Sequence, residues 1–98
     1  MPYIPQDDRP TFDPHVDALV KELDALPEDK MVGCLNYCIS RLTWGLCGHG
    51  AGRRKYVRMN GVVGALMCAM LELNRRQIAP YEDEKIESAG DVGKPDVS

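Results

Sequence analysis

The sequence predicts an all-α protein, a three-helix antiparallel bundle or hairpin that assembles into an oligomer. Three observations predict this. Apolar side chains recur at intervals of three and four residues through the middle of the chain, which is the helical period. Prolines and glycines divide that middle into three segments. The third segment is apolar on two sides, which is more surface than one small three-helix domain can cover.

Residues 1–13 form a predicted N-terminal arm. The arm is rich in proline, which fixes φ and keeps the preceding residue out of the helical region, so we expect it to be extended. Tyr3 and Ile4 are apolar residues of this arm. We expect them to cover apolar surface, either of their own chain or of a neighbouring subunit.

The first two predicted helices cover residues 14–26 and 30–47. Asp13 is the predicted N-cap of the first helix, which ends before Pro27. The second helix carries an apolar stripe that alternates by threes and fours and stops at a glycine-rich loop. Such stripes are typical of helices that pack antiparallel in a bundle. The stripe consists of Val32, Leu35, Ile39, Leu42 and Leu46.

The third predicted helix covers residues 54–79 and is stopped by Pro80, so the helical domain spans 14–79. Residues 80–98 form a predicted acidic C-terminal tail. Aromatic, cationic and anionic side chains follow one another closely at the junction of helix and tail. We therefore expect this junction to be a docking segment.

One face of the third helix carries only small side chains. A glycine inside a helix costs about 1 kcal/mol relative to alanine, so glycines on this face suggest close approach of another backbone. The alternative is that these glycines are merely tolerated. The predicted oligomer interface consists of Gly61, Gly64, Ala65 and Cys68, together with Tyr3 and Ile4 of the arm.

Composition excludes several classes of protein. The 98 residues correspond to one domain, and the net charge of −3 argues against a general DNA- or RNA-binding protein. No uninterrupted apolar run reaches the length of a membrane span, and no signal peptide is recognisable. We therefore expect a cytoplasmic protein without membrane contact, whose four cysteines are reduced and act as small apolar residues.

Cationic and aromatic side chains near both ends of the third helix form a candidate site for a small anion or a nucleotide. The free N–H groups and dipole of a helix N-terminus favour negative charge, and a glycine-rich loop lets an anion approach them. The alternative is a hairpin loop whose arginines are solvated. The candidate ligand-binding residues are Arg53, Arg54, Tyr56, Arg58, Arg75, Arg76 and Tyr81.

The helix spacing also predicts a specific ion pair. Glu72 and Arg76 are four residues apart and lie on one side of the helix. Pairing of these two leaves Arg75 free for the tail. Tyr81 and Glu82 are its nearest predicted acceptors.

Metal and catalytic chemistry have weak support. Cys34, Cys38, Cys47 and His49 are residue types that bind zinc, but the sequence lacks a Cys-x-x-Cys pair. Cys47 with His49 is the one candidate for a nucleophile and its base. The Glu-x-x-His pairs of metal-dependent bundles are absent. We predict no metal, no cofactor and no catalytic residue.

Several motifs together resemble a known family. They are the opening Met1-Pro-Tyr-Ile-Pro, Leu35-Asn-Tyr in the second helix, Arg75-Arg76, the Ala79-Pro-Tyr-Glu-Asp run and Gly90-Asp-Val. This pattern resembles a family of small proteins of unknown function found in phages, bacteria and archaea. The chain departs from it at Leu73-Asn74, where the family has an aromatic pair. The resemblance implies an all-helical intracellular protein and implies no activity.

Three functions are consistent with these features. The first is a non-catalytic, self-associating helical module that binds a protein partner or a small anionic ligand. The second is a phage-type sponge that sequesters a cyclic nucleotide of bacterial immunity, an analogy based on size and class. The third is a small enzyme such as a phosphohydrolase.

Overall fold

A computed structural model describes residues 2–48, 52 and 54–93, and all regular structure within these residues is helical. The predicted all-α class is therefore confirmed. Four α-helices follow one another, and two shorter segments of other helix types accompany them. The α-helices are α1 (Asp13–Asp24), α2 (Glu28–Cys47), α3 (Tyr56–Leu73) and α4 (Ala79–Ala89), with a 3₁₀-helix at Gln6–Thr11 and a π-helical turn at Asn74–Ile78.

The N-terminal arm is not extended throughout, because Gln6–Thr11 forms a 3₁₀-helix. The φ angle that proline imposes is also compatible with this tighter helix, which explains why prolines did not keep the arm straight. The Arg9 Nε group donates a hydrogen bond of 3.1 Å to the carbonyl oxygen of Ile4. The arm is thereby folded back on itself ahead of α1.

The limits of α1 and α2 differ slightly from the predicted ones. Phe12 rather than Asp13 is the N-cap of α1, and α1 ends at Asp24, two residues before the predicted end. α2 begins at Glu28, directly after Pro27 and two residues before the predicted start. Acidic residues in a first turn are favoured by the helix dipole, which explains the earlier start.

The third helix does not end at Pro80 as predicted, but continues through a π-helical turn into α4. Proline lacks an N–H group, and its ring collides with the carbonyl group four residues earlier. The wider π turn relieves this collision, and the Ala79 N–H group bonds to the carbonyl of Asn74, five residues back. The helix ends at Gly90, whose φ of 91° is readily adopted only by glycine. Much of the predicted tail is therefore helical.

The helices contact one another sparsely, and α1 does not contact α3. The chain measures 60 × 34 × 30 Å with a radius of gyration of 18.2 Å, whereas a compact domain of this length has about 13 Å. Among the described residues no side chain is buried. The predicted antiparallel bundle is therefore not closed within a single chain.

The continuous helix Tyr56–Ala89 is long and apolar enough to cross a membrane, judged by length and composition alone, with a mean hydropathy of 1.2 in its most apolar window. Polar residues interrupt this window, so it contains no uninterrupted apolar run of membrane-spanning length. A helix at the centre of a soluble assembly meets the same criterion, so this property does not by itself indicate a membrane protein.

Candidate functional site

The N-terminal arm reaches the far end of α3 and forms a polar cluster there. The Tyr3 hydroxyl donates a hydrogen bond of 2.6 Å to Oε1 of Glu72. Arg75 donates to the same carboxylate through Nε, at 3.1 Å, and through Nη2. Arg76 Nη1 in turn donates to the Tyr3 hydroxyl oxygen at 3.3 Å. We call these four residues the arm clasp.

The arm clasp uses a different ion pair from the predicted one. Glu72 pairs with Arg75, three residues on, whereas Arg76 binds the phenol of Tyr3. The sequence could not show that the arm returns to this point, where Tyr3 occupies the position between Glu72 and Arg76. Arg75 is therefore not free for the tail.

Electrostatics favour the ionised form of the clasp. The hydrogen bond from Arg75, followed by the one from Tyr3, lowers the pKa of Glu72. The same bond to Glu72 raises the pKa of Arg75. The Glu72 side chain is partly shielded, with 23% of its area exposed, whereas Arg75 is 65% exposed. The clasp is therefore an ionic contact at the surface, open to water and salt.

Arg58 connects α3 to the end of α2. Its Nε group donates a hydrogen bond of 2.6 Å to the carbonyl oxygen of Leu46, in the last turn of α2. That carbonyl has no partner within its own helix, and a cation at a helix C-terminus is also favoured by the dipole. Arg58, a predicted ligand residue, is therefore engaged in holding two helices together.

Arg54, another predicted ligand residue near this junction, lines an open hollow together with Trp44 of α2 and Met59 of α3. The volume of this hollow is about 380 Å³. Tyr56 is 80% exposed. Arg53 lies outside the described residues, as does His49.

The predicted ligand residues form two groups within one chain. Arg58 and Arg75 are seventeen positions apart on one continuous helix, which corresponds to roughly 25 Å at 1.5 Å per residue. Tyr81 lies beyond the arm clasp, and the Lys85 ammonium group is 5.3 Å from its ring centre. A single chain therefore does not unite the predicted residues in one site.

The predicted small face of α3 is open. At 100° per residue, Gly61, Gly64 and Cys68 lie on the side of α3 opposite Met59 and Leu66. A methyl group added at Gly61 or Gly64 would meet no atom within 4 Å. Glu72 follows Cys68 by four residues on the same side, so Tyr3 of the arm covers only the end of this face.

A second hollow, which was not predicted from the sequence, lies along α2. It is open, has a volume of about 800 Å³, and is lined by Leu19 of α1 and by residues of the second half of α2. We call it the α2 hollow. Tyr37 and Trp44 project from it with 65% and 74% of their areas exposed. The only sequence signal was that these two aromatic residues lie off the apolar stripe of α2.

The cysteines are free thiols: Cys34, Cys38 and Cys47 are half-buried and Cys68 is exposed. Among the described residues, no three His, Cys, Asp or Glu side chains lie close enough together to hold a metal ion. The predicted zinc candidate also included His49, which is outside these residues.

Comparison with known proteins finds a family whose sequences resemble this chain. The sequence model of a family described as "Domain of unknown function (DUF6899)" matches residues 1–92. No curated protein and no solved structure matches the chain.

Proposed function

We propose that this chain, which belongs to the DUF6899 family of domains of unknown function, is a non-catalytic helical module that functions as a homo-oligomer. One observation supports this above all others: the single chain hides too little of its own surface. It exposes 8891 Å², whereas a compact monomer of its mass exposes about 5,600 Å². Obligate subunit interfaces bury roughly 2,000–5,000 Å² in total.

Large apolar side chains that a stable monomer would bury are exposed in the single chain. Leu42, from the predicted apolar stripe of α2, is 66% exposed, and Val63 and Met70 of α3 are 52% and 60% exposed. Extensive exposed apolar surface marks a protein interface or a membrane contact. We assign it to association between copies, since α3 also carries glycines that allow close approach of another helix.

Sedimentation equilibrium and size-exclusion chromatography with light scattering, from about 0.1 to 100 μM, test this proposal. We expect a dimer or higher oligomer whose helical circular dichroism and melting temperature fall together on dilution, because folding and association are linked. A well-folded monomer at every concentration would contradict the proposal.

Flotation with phosphatidylcholine vesicles separates this function from membrane insertion of Tyr56–Ala89. We propose a cytoplasmic protein whose apolar helix is covered by protein, so the oligomer should stay at the bottom of the gradient. If the protein instead floats with the vesicles and the oligomer is lost, the apolar surface contacts lipid rather than a second chain.

Binding of a nucleotide or another small anion is a second candidate function. The hollow beside Arg54 places a guanidinium group near the indole of Trp44, which suits an anionic ligand with a flat ring. Association between chains would be needed to add the distant Arg75 and Arg76. One form of this second function is the sequestration of a cyclic nucleotide by a phage protein.

Fluorescence of Trp44, the one tryptophan of the chain, tests this second function directly. Titration with AMP and with a cyclic dinucleotide should quench the signal, and Arg54→Ala should abolish the quenching. Lys21→Ala on α1 is the matched control, because it removes a cation that does not line this hollow. Quenching that is absent with both ligands, or equal in both variants, would contradict the candidate function. Recovery of unchanged nucleotide after incubation distinguishes sequestration from hydrolysis.

A further inference from the structure

The α2 hollow is a groove that the chain leaves without an occupant. Leu19 of α1 lines one part of it, and Tyr37, Leu42 and Trp44 contribute large side chains from α2. No residue of α3 lines it. Leu42 is 66% exposed, close to the exposures of the two aromatic residues, so all three are available to a partner.

The chain's own α3 does not reach this groove. α3 faces α2 through Met59, Val63 and Leu66, which line the separate hollow beside Arg54 and Thr43. The small face of α3 points away from that contact. Since α1 does not contact α3 either, nothing in the described chain covers this part of the small face.

The two exposed surfaces differ in the size of their side chains, and the lining of the α2 hollow also includes Arg41. The α2 hollow offers large apolar side chains, and the small face offers Gly61, Gly64 and Ala65, over which they can lie. Large residues facing small ones allow helices to interdigitate at close distance. The hollow spans ten residues of α2, about 15 Å. It therefore has the length to hold the segment from Gly61 to Cys68.

We infer that the small face of α3 from a second copy lies in the α2 hollow, so that two chains form an intertwined homodimer. This inference rests on the proposed self-association and specifies which surfaces meet. By two-fold symmetry each dimer contains this contact twice, and each α3 is then enclosed by its own α2 on one side and by the partner's α2 on the other. Such enclosure is what a helix that is apolar on most sides requires.

The native cysteines provide the test, since Cys38 lines the α2 hollow and Cys68 lies on the small face. A background variant, Cys34→Ser with Cys47→Ser, retains only these two thiols. Equal amounts of ¹⁴N- and ¹⁵N-labelled protein are refolded together and treated with a short bismaleimide. Mass spectrometry then identifies peptides that join the two isotopes and therefore join two chains.

We expect a Cys38–Cys68 product of mixed isotope, which is lost in Cys38→Ser. Gly64→Leu in the same background should reduce that product in parallel with a loss of dimer, by about 100-fold in dissociation constant. A dimer that gives only Cys68–Cys68 products, or gives no Cys38–Cys68 product of mixed isotope, overturns this placement and leaves the proposed self-association unaffected. A monomer by light scattering overturns the proposed function itself and this inference with it.

Discussion

Two regions of the long helix from Tyr56 to Ala89 are held in different ways. Around Glu72 the helix is engaged by the arm clasp, a set of directed hydrogen bonds and an ion pair within the chain. Around Gly64 the side chains are apolar or small, and a methyl group added at Gly64 would meet no atom within 4 Å. The polar region around Glu72 is completed within one chain. The region around Gly64 is where we propose that a second chain binds.

We expect the largest effect from Gly64→Leu. A bulky side chain on the small face prevents close approach of a partner helix, so we expect the dissociation constant of the oligomer to rise about 100-fold or more. Helicity of the chain at high concentration should persist, because leucine is a better helix former than glycine. Sedimentation equilibrium measures the first quantity and far-ultraviolet circular dichroism the second.

Gly33→Leu is the matched control for that variant. Gly33 is also a glycine within a helix, and an added methyl group there meets no atom within 4 Å. It lines neither hollow. Equal loss of association in both variants, or unchanged association in Gly64→Leu, would show that the small face is not the interface.

Removal of residues 1–10 tests the polar region around Glu72, where the arm binds. Tyr3 and Ile4 are each about half covered, with 47% and 39% of their areas exposed. Loss of that burial should cost roughly 1–3 kcal/mol, or a fall in melting temperature of about 5–15 °C. Differential scanning calorimetry measures the shift. Tyr3→Phe, which retains the ring and removes the hydroxyl, should have a smaller effect. Unaltered melting of the truncated chain would mean that the arm covers nothing.

Arg58→Ala tests the junction of α2 and α3. The variant leaves the Leu46 carbonyl oxygen without its donor, which should cost about 1 kcal/mol and lower the melting temperature by about 4–8 °C. Arg54→Ala is the control, since Arg54 lines the neighbouring hollow. We expect Arg54→Ala to change the melting temperature little. Equal shifts would show that the Arg58 hydrogen bond contributes nothing specific.

Glu72→Gln should have the smallest effect, and that effect should depend on pH. Because the folded-state pKa of Glu72 is lowered, its ionised form stabilises the fold above the ordinary glutamate pKa of about 4.3. This contribution is lost as pH falls through the lower folded-state pKa. The difference in melting temperature between wild type and Glu72→Gln should therefore be present at pH 7 and should shrink as the pH falls below the ordinary glutamate pKa. Thermal scans across this range measure it, with Glu82→Gln on α4 as a control. A difference that does not vary with pH would contradict an ionic role for Glu72.

Helix content was predictable because it depends on local periodicity. The three segments with apolar residues at helical intervals are helices in the structure. The predicted end of α2 at residue 47 also agrees with the structure. The continuation through Pro80 was not predictable from a rule about single residues. A π turn can accommodate a proline without ending the helix, and here the Ala79 N–H group bonds to the carbonyl of Asn74.

The candidate site was predicted in part. Tyr3, Glu72 and Arg76 were each singled out in the sequence, but their meeting joins residues that are 69 and 73 positions apart along the chain. Trp44 and the α2 hollow were missed, because an exposed aromatic residue off the main stripe has no periodic signal. Arg58 was interpreted as a ligand residue, and only the fold shows that it bonds to the end of α2.

Residue spacing and composition are enough to predict the helical class, the approximate helix limits and an excess of apolar surface on α3. The continuation of α3 into α4 had to be seen in the structure, because a proline can either end a helix or be accommodated by a π turn. The structure was also needed to show that Tyr3 pairs with Glu72 and Arg76, and that the helices do not enclose one another within one chain. These last two features depend on contacts between residues far apart in sequence, whose energies local pattern does not encode.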